Sequence, residues 1–477
     1  MQRVFDNCYA MDRRCYAEYG LTEDILMEHA AEGMAVYIRE YFSEGSTLLI
    51  VAGMGNNGAD GIVLARLLHA RYDVRLVLPF GVKSAMARLQ LERAKKIGVV
   101  PADRIDTGAK SVDLLVDALF GAGLNRELDQ ESQAIVAQMN QIEAFKIACH
   151  MSTGISESGE IVPVAFRGDL TITMEALKES LYLDEAKAYT GVITCVELVV
   201  DRSLYVMQSD TFVLEQEDMH LPTRRSKGTH KGSFGHAVLF CGEKEGASVI
   251  AGSAALRFGA GLTTLVVREH VLVPPFLMTA TSVPETATAL AIGMGMGDFF
   301  GREFIRNSIL QSSVPLLLDA DSFYSRELLS VLEQPDRPLV LTPHPKEFAS
   351  LWEITMGEAL SVTEIQKHRF ALVRKFSERY PQAVLLLKGA NMLIAHQKKV
   401  WINPLGSSRL SKGGSGDVLS GLIVGLLAQG YRAKEAAITA SLALAEATRQ
   451  YEGSSYSMLP TDLVEAVGRL ELSEKES

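Results

Sequence analysis

Short apolar runs alternate with helical stretches along most of this chain, and they do so in two separate series. TLLIVAG from Thr47, VRLVLPF and VDLLVDALFGAG read as strands, with GIVLARLLHARY and SAMARLQLERAKKIG between them as helices. Strands separated by helices of this length require crossover connections, so the pattern predicts βαβ units and a parallel sheet. LTEDILMEHAAEGMAVYIREYF precedes the series as an amphipathic helix, with Thr22 as its expected cap. A mixed, polar stretch from about Asp201 to Lys231 then breaks the rhythm. The second series follows with AVLFCG, TTLVV, VPLLLDAD, PLVLTPHP and AVLLLKGA as strands, and VIAGSAALRFGAG as a helix and turn. The expected architecture is α/β: two tandem three-layer α/β/α domains, residues 1–215 and 216–477.

Bulk properties narrow the function. A chain of 477 residues, 47% hydrophobic and 22% charged, has material for two full cores. The formal net charge of -11 argues against broad nucleic-acid binding, which needs basic surface to neutralise phosphates. Five scattered cysteines with no CxxC pair argue against a disulfide framework or a zinc site and fit a reducing cytoplasm. MQRVFDNCYAMDRRC has no apolar signal-peptide core, and no run of about 18 apolar residues occurs. A cytoplasmic protein with no membrane partner is expected.

GGSGDVLSGLIVGLLAQG, from Gly413, runs glycines and a carboxylate straight into an apolar helix. A helix amino terminus has unpaired N–H groups and the positive end of the macrodipole, and glycine lets that backbone approach an anion. Such a loop suits a phosphate or a developing oxyanion. Asp417 would repel a phosphate, but it fits as the base that takes a proton from a hydroxyl attacking that phosphate. A plain glycine-rich helix cap fits the same residues. LTPHPKEFASL places His344 between two prolines that fix its loop, with Glu347 close by. LLLKGANMLIA places Lys388 and Gly389 at a strand end, where the lysine could reach a nucleotide phosphate or simply be solvated. Asp319 and Asp321 in LLLDADSF could orient Mg2+ through water or cap the next helix. All of them fall at carboxyl ends of strands, where open α/β sheets bind ligands.

HKGSFGHAVLFCG, the GAGL of Gly259–Leu262, AIGMGMG, DADSF, TPHPKE, LLLKG and GGSGD stand in the order found in ADP-dependent NAD(P)HX dehydratases of the ribokinase-like superfamily. The resemblance covers about residues 225–470. It implies dehydration of hydrated NADH or NADPH (NADHX, NADPHX) back to the intact cofactor at the expense of a nucleotide phosphate, ADP or ATP with Mg2+. By position, Ala260, Gly295, His344 and Asp417 would contact the hydrate. Lys388, Gly389, Ala390, Asn391, Met392 and Gly416 would hold the adenine nucleotide, with Asp417 as the catalytic base. Two positions depart from the family: Met392 stands where threonine is usual, and Met294 where proline is usual.

VAGMGNNGADGIVLARLL carries a second glycine loop between strand and helix. A generic Rossmann-type nucleotide turn or a helix cap fits it, but two adjacent asparagines, Asn56 and Asn57, ahead of Gly-x-Asp-Gly with Asp60 are unusual there, and amide oxygens suit a weakly held hard cation. LMEHAAEGMA, GNNGADG, VDALFGAGL and DLTITMEALK resemble, in order, the Rossmann-like NAD(P)HX epimerase domain over about residues 1–200. Fusion of that domain to the dehydratase is itself a family pattern. The resemblance implies K+ ligated by Asn57, Asp117 and Thr153. It also implies hydrate contacts from Asn56, Asn57, Gly58, Ala59 and Asp60 and from Gly121, Ala122, Gly123, Leu124, Asn125, Arg126 and Glu127. The family's Asp-x-Pro-Ser-Gly run reads HMSTG here, so His150 stands where the acid/base aspartate is expected, with Ser152 and Thr153 in place of proline and serine. Histidine transfers protons at neutral pH, and His150 is the expected catalytic group. A ribokinase-like small-molecule kinase with an amino-terminal nucleotide-binding module is the alternative activity. A homo-oligomer is expected in either case.

Overall fold

The computed structural model describes residues 1–477 except 7, 107–110, 122, 199–200, 202–203, 205–207, 225, 298–305, 335 and 472–477. The chain divides into two compact units, Arg3–Ser209 and Asp210–Ser477 with Met1–Gln2.

In the amino-terminal unit, strands β1 (Thr47–Ala52), β2 (Asp73–Val77), β3 (Leu114–Ala118), β4 (Phe145–Cys149), β5 (Leu170–Met174) and β6 (Val192–Val196) form one sheet. Its order is β2-β1-β3-β4-β5-β6, and every pairing is parallel. Helices α1 (Glu23–Tyr41), α2 (Asn56–Leu68) and α3 (Ala85–Lys96) are the helices expected between and around the strands, and α4 (Gln130–Gln141), which the sequence reading did not mark, joins β3 to β4. Thr22 occupies the cap position of α1, but its hydroxyl donates to Asp24 at 2.6 Å and satisfies no helix amide.

The first correction concerns the loop after β1. The helix begins at Asn56, so Asn56 to Ala59 form its first turn rather than a loop and Asp60 opens its second. Gly58 and Gly61 are required by packing. A Cβ on Gly58 would fall 1.8 Å from the Gly53 carbonyl oxygen, and one on Gly61 2.7 Å from the Ala118 Cβ. These glycines seat α2 hard against the sheet, which brings its amino terminus over the strand ends.

The carboxy-terminal unit comprises β7 (Thr211–Val213), β8 (His236–Phe240), β9 (Leu262–Val266), β10 (Met278–Ala280), β11 (Ala289–Ile292), β12 (Leu316–Leu318), β13 (Leu339–Leu341), β14 (Ala383–Leu387), β15 (Met392–His396) and β16 (Lys399–Asn403). The order is β10-β9-β8-β11-β12-β13-β14-β15-β16-β7. The pairings are parallel as far as β14, after which β14-β15 and β15-β16 are antiparallel. The expectation of a parallel sheet therefore fails at this edge. KGAN is too short for a crossover and makes a hairpin instead.

Helices α5 (Glu245–Arg257), α6 (Pro345–Met356), α7 (Arg369–Arg379), α8 (Ser415–Ala428), α9 (Ala433–Arg449) and α10 (Pro460–Val467) cover this sheet. From Val418 to Ala428 every residue of α8 is buried, which explains why GGSGD leads into an almost wholly apolar helix. Its glycines bring α5 close. A Cβ on Gly421 would lie 2.1 Å from the Ala251 carbonyl oxygen. Gly421→Ala is therefore expected to destabilise this unit by about 1–3 kcal/mol, measured as a lower urea midpoint at unchanged slope.

No disulfide joins any of the five cysteines. Among the described residues, no helix is long and apolar enough to cross a membrane.

Candidate active sites

In the carboxy-terminal unit four adjacent parallel strands end side by side, and each carries a candidate residue on the loop that follows. Gly295 follows β11, Asp319 follows β12, His344 follows β13 and Lys388 follows β14. Backbone bonds lock these loops together. Asp319 donates its N–H to the Ile292 carbonyl at 3.0 Å, Thr342 to Leu318 at 3.1 Å, and Lys388 to Pro343 at 2.9 Å. Gly293 abuts the same place, since a Cβ there would fall 1.8 Å from the Asp319 carbonyl oxygen.

Lys388 Nζ lies 2.8 Å from Asp319 Oδ1, and the Ser420 hydroxyl donates to Asp319 Oδ2 at 2.7 Å. Both oxygens of this buried carboxylate are thus engaged. Asp319 makes no side-chain cap bond. It does not cap the helix that follows, and it is the counter-ion of Lys388. Asp321 accepts from the Gly297 N–H at 2.8 Å. Burial works to lower the Lys388 pKa, but the charges of Asp319, Glu347 and Asp417 outweigh it and hold it above its ordinary value.

Helix α8 meets these strand ends with its amino terminus. Its cap is Gly414 at φ +93°, a left-handed conformation that glycine adopts without strain. Gly416 and Asp417 sit in the first turn, where amides have no partner within the helix. A Cβ on Gly416 would lie 3.5 Å from Lys388 Nζ, which sets the lysine beside that turn. Burial, then the neighbouring charge of Asp319, push the Asp417 carboxyl up to about 6 against the opposing pull of Lys388. A carboxylate so poised is a serviceable base near neutral pH.

His344 caps α6 in a box with Glu347. Its Nδ1 accepts from the N–H groups of Lys346 and Glu347 at 3.1 and 3.2 Å, so the ring proton sits on Nε2, 3.1 Å from Glu347 Oε1. The structure also shows how the Lys388–Met392 segment is held, which sequence reasoning missed. Arg369, 1% exposed, donates to the carbonyls of Lys388 and Asn391 at 3.3 and 3.0 Å. The only signal was an arginine on an amphipathic helix, which reads as surface. Lys388, Gly389 and Ala390 reach the surface to some degree, but the Asn391 and Met392 side chains are buried and Met392 packs in the apolar core. Methionine at the usual threonine position is therefore a core residue.

Ala260 does not join the other candidates. It precedes β9, next to Gly259, whose added Cβ would meet Gln429 at 2.8 Å at the far end of α8. At 1.5 Å per residue that end lies about 18 Å from Asp417, and the Ala260 side chain is buried. Within one chain it is a packing residue behind the site.

In the amino-terminal unit the corresponding loops follow β1, β3 and β4, and they open on a cavity of about 630 Å3. Tyr9, Tyr16, Glu23, Asp60, His150 and Lys178 are among its lining residues. Of the residues expected to touch a hydrate, Asn56, Asn57, Asp60, Gly121, Gly123, Leu124, Asn125 and Arg126 line it. Gly58, Ala59 and Glu127 do not: the first two are buried within the first turn of α2, and Glu127 is exposed. Ala122 lies outside the described residues. Asn56 donates to Glu23.

His150 sits at φ +62°, a left-handed conformation that is uncommon outside glycine and marks a held position. Its Nε2 lies 3.2 Å from Asp60 Oδ2. Burial raises the Asp60 pKa and His150 restrains the rise.

Asp117 and Thr153 are bonded twice, from Thr153 N–H to Oδ2 and from its hydroxyl to Oδ1, both at 2.7 Å. Burial lifts Asp117 to about 6 despite these bonds. The Asn57 amide is buried with no hydrogen-bond partner on either Oδ1 or Nδ2, and a Cβ on Gly121 would lie 2.9 Å from that Oδ1. The unpartnered Asn57 amide and the Asp117–Thr153 pair are hard oxygen donors of the kind that fits a monovalent or other hard cation.

The two sites mark a two-domain α/β enzyme, with a glycine-rich helix terminus beside a raised carboxyl in one unit and a carboxylate–imidazole pair on a cavity wall in the other. A family described as NAD(P)H-hydrate dehydratase matches residues 237–469, and one described as YjeF-related protein N-terminus matches 23–180. The bifunctional NAD(P)H-hydrate repair enzyme of Helicobacter pylori is 39% identical, over 98% of this chain and 100% of that one. The enzymes of that name from Coxiella burnetii and Escherichia coli are 31% and 32% identical, each over 94% of this chain and over 95% and 90% of their own. A solved ADP/ATP-dependent NAD(P)H-hydrate dehydratase from Bacillus subtilis, co-crystallised with ATP/Mg2+, is 29% identical with a TM-score of 0.46, covering 52% of this chain and 93% of that one. The chain belongs to the family of bifunctional NAD(P)H-hydrate repair enzymes.

Proposed function

We propose that this protein restores hydrated NADH and NADPH in the cytoplasm. Residues 216–477 dehydrate the 6S hydrate with ADP as phosphate donor, and residues 1–215 interconvert the R and S hydrates. The observation that carries the dehydratase assignment is Asp417 in the first turn of α8, lifted to about 6 and set near Lys388. Asp417 takes the proton of the ring hydroxyl, whose oxygen then bonds to the terminal phosphorus of the nucleotide as the bridging P–O bond breaks. The first-turn amides and Lys388 offset charge on the transferring group. Loss of the resulting phosphate, with a proton from the neighbouring ring carbon, restores the ring double bond. Mg2+ bound with the nucleotide would supply positive charge that offsets its phosphates.

In the amino-terminal pocket His150 carries the proton transfer that inversion requires. Asn57, Asp117 and Thr153 would hold K+, which supplies fixed positive charge beside the hydrate.

The test is to give the protein a mixed R/S hydrate with Mg2+ and either ADP or ATP, and to follow the return of reduced-cofactor absorbance. Complete conversion, faster than spontaneous inversion, is expected. A stop at the S fraction would remove the epimerase assignment, and a stable phosphorylated product would replace the dehydratase with a kinase. Exchanging K+ for tetramethylammonium is expected to slow the R-dependent phase several-fold and leave the S-dependent phase unchanged.

A further inference from the structure

The family resemblance casts Asp60 as a contact to the hydrate, but the structure gives its carboxylate a different partner. Asp60 projects from the second turn of α2, is 6% exposed, and faces the loop after β4. There the left-handed backbone at His150 breaks the in–out alternation of the strand and carries the imidazole to the Asp60 side. The His150 N–H is tied to the Ile172 carbonyl at 2.8 Å, so the turn is anchored to β5. The result is an imidazole–carboxylate contact of 3.2 Å on the cavity wall, made by residues ninety positions apart in the sequence.

A buried carboxylate beside imidazole does two things. It accepts the ring N–H, which fixes the tautomer, and it fixes the ring plane. Here Asp60 Oδ2 faces Nε2, so the proton lies on Nε2 and Nδ1 is left as the basic nitrogen. No hydrogen bond to Nδ1 is made among the described residues. Cys149, the other potential ligand or donor in this cluster, has its thiol pKa pushed well up by burial and then by Asp60 and Asp117, so it stays protonated and does not compete for the role.

We propose that Asp60 is the positioning residue of the amino-terminal site: it holds His150 in the Nε2–H tautomer so that Nδ1 is the nitrogen that exchanges protons with the hydrate. The pair makes up for the family's missing aspartate, with an imidazole oriented by a carboxylate in place of a carboxylate alone. This rests on the epimerase assignment above.

A double-mutant cycle tests it, using the full chain with R hydrate, the carboxy-terminal activity on S hydrate serving as the folding control. Asp60→Asn is expected to lower the epimerisation kcat roughly tenfold to a hundredfold with KM within about threefold, because the ring loses its orienting charge and its place is not taken. In a His150→Ala background the same change is expected to do nothing further. In a His150→Asp background, where no ring needs orienting, it is also expected to be nearly silent. Equal losses in all three backgrounds, or a loss confined to KM, would make Asp60 a substrate contact and overturn the proposal. An independent readout is the 15N NMR spectrum of histidine-labelled protein. His150 should give the Nε2–H pattern in the wild type and a tautomer mixture in Asp60→Asn. A wild type already in the Nδ1–H form would also overturn it. A wild type that fails to speed R/S exchange at all would instead remove the epimerase assignment, and the NMR result would stand apart from that failure.

Discussion

Asp417→Asn lowers the rate of ADP-dependent dehydration by about 10²–10⁴-fold, the usual contribution of a general base, while ADP affinity stays within a few-fold. The asparagine keeps the shape of the first turn of α8 and the amides that face the phosphate, so binding survives and proton removal does not. The pH profile of the wild type carries the signature. Burial and Asp319 raise the Asp417 pKa from 3.8 to about 6. Below that value the carboxyl holds its own proton and cannot accept one, so kcat falls as pH drops through about 6 and is level above it. That acid limb disappears in the variant. The stability sign runs the other way. A carboxyl whose pKa is raised on folding binds its proton more tightly in the native state, so its ionisation opposes folding, and the penalty is complete above about pH 6. Asp417→Asn removes that penalty and is expected to melt no lower than the wild type at pH 8. A variant that loses activity by unfolding would fail this control, and undiminished dehydration at full stability would remove Asp417 from the mechanism.

β1, β2, β3, β8, β9, β12, β13 and β14 were readable because they are short uninterrupted apolar runs, and the strand-end positions of Asp319, His344 and Lys388 followed from them; β4, β5, β6 and the short strands β7, β10, β11, β15 and β16 were not read. Nor was the start of α2. Asn56, Asn57 and Gly58 are poor helix formers, and they are helical because Gly58 and Gly61 let the helix close onto Gly53 and Ala118. That contact belongs to the tertiary structure and leaves no local trace. The same holds for the pairing of Asp60 with His150 and for Arg369 beneath the Lys388–Asn391 turn, where a charged residue on a helix gives no hint that its guanidinium faces inward. The antiparallel edge is different: two apolar runs separated by KGAN leave no room for a crossover, so the hairpin was legible and went unread. Ala260 marks a limit of carrying residues across by motif. GAGL is in the expected order, but the fold places it at the other end of α8 from Asp417.

Lys388→Met tests which of two duties the lysine performs. Its ammonium lies 2.8 Å from Asp319 Oδ1, whose side chain is 3% exposed, and a Cβ on Gly416 would lie 3.5 Å from it. Removing one partner of a buried pair strands the other, so the single variant is expected to lose about 3–5 kcal/mol at neutral pH. Asp319 would keep only the Ser420 hydroxyl as a partner for its buried carboxylate. The acid limb of the pH profile should then move to higher pH, because the attraction that lowers Asp417 is lost while burial and Asp319 still raise it. Adding Asp319→Asn makes the pair neutral on both sides, and most of the lost stability should return. Nucleotide binding should not return with it. If Lys388 meets the phosphates, KM for ADP stays raised at least tenfold in both the single and the double variant. Recovery of KM together with stability in the double variant would mean that Lys388 serves only to neutralise Asp319, and that the amides of α8 hold the phosphate unaided.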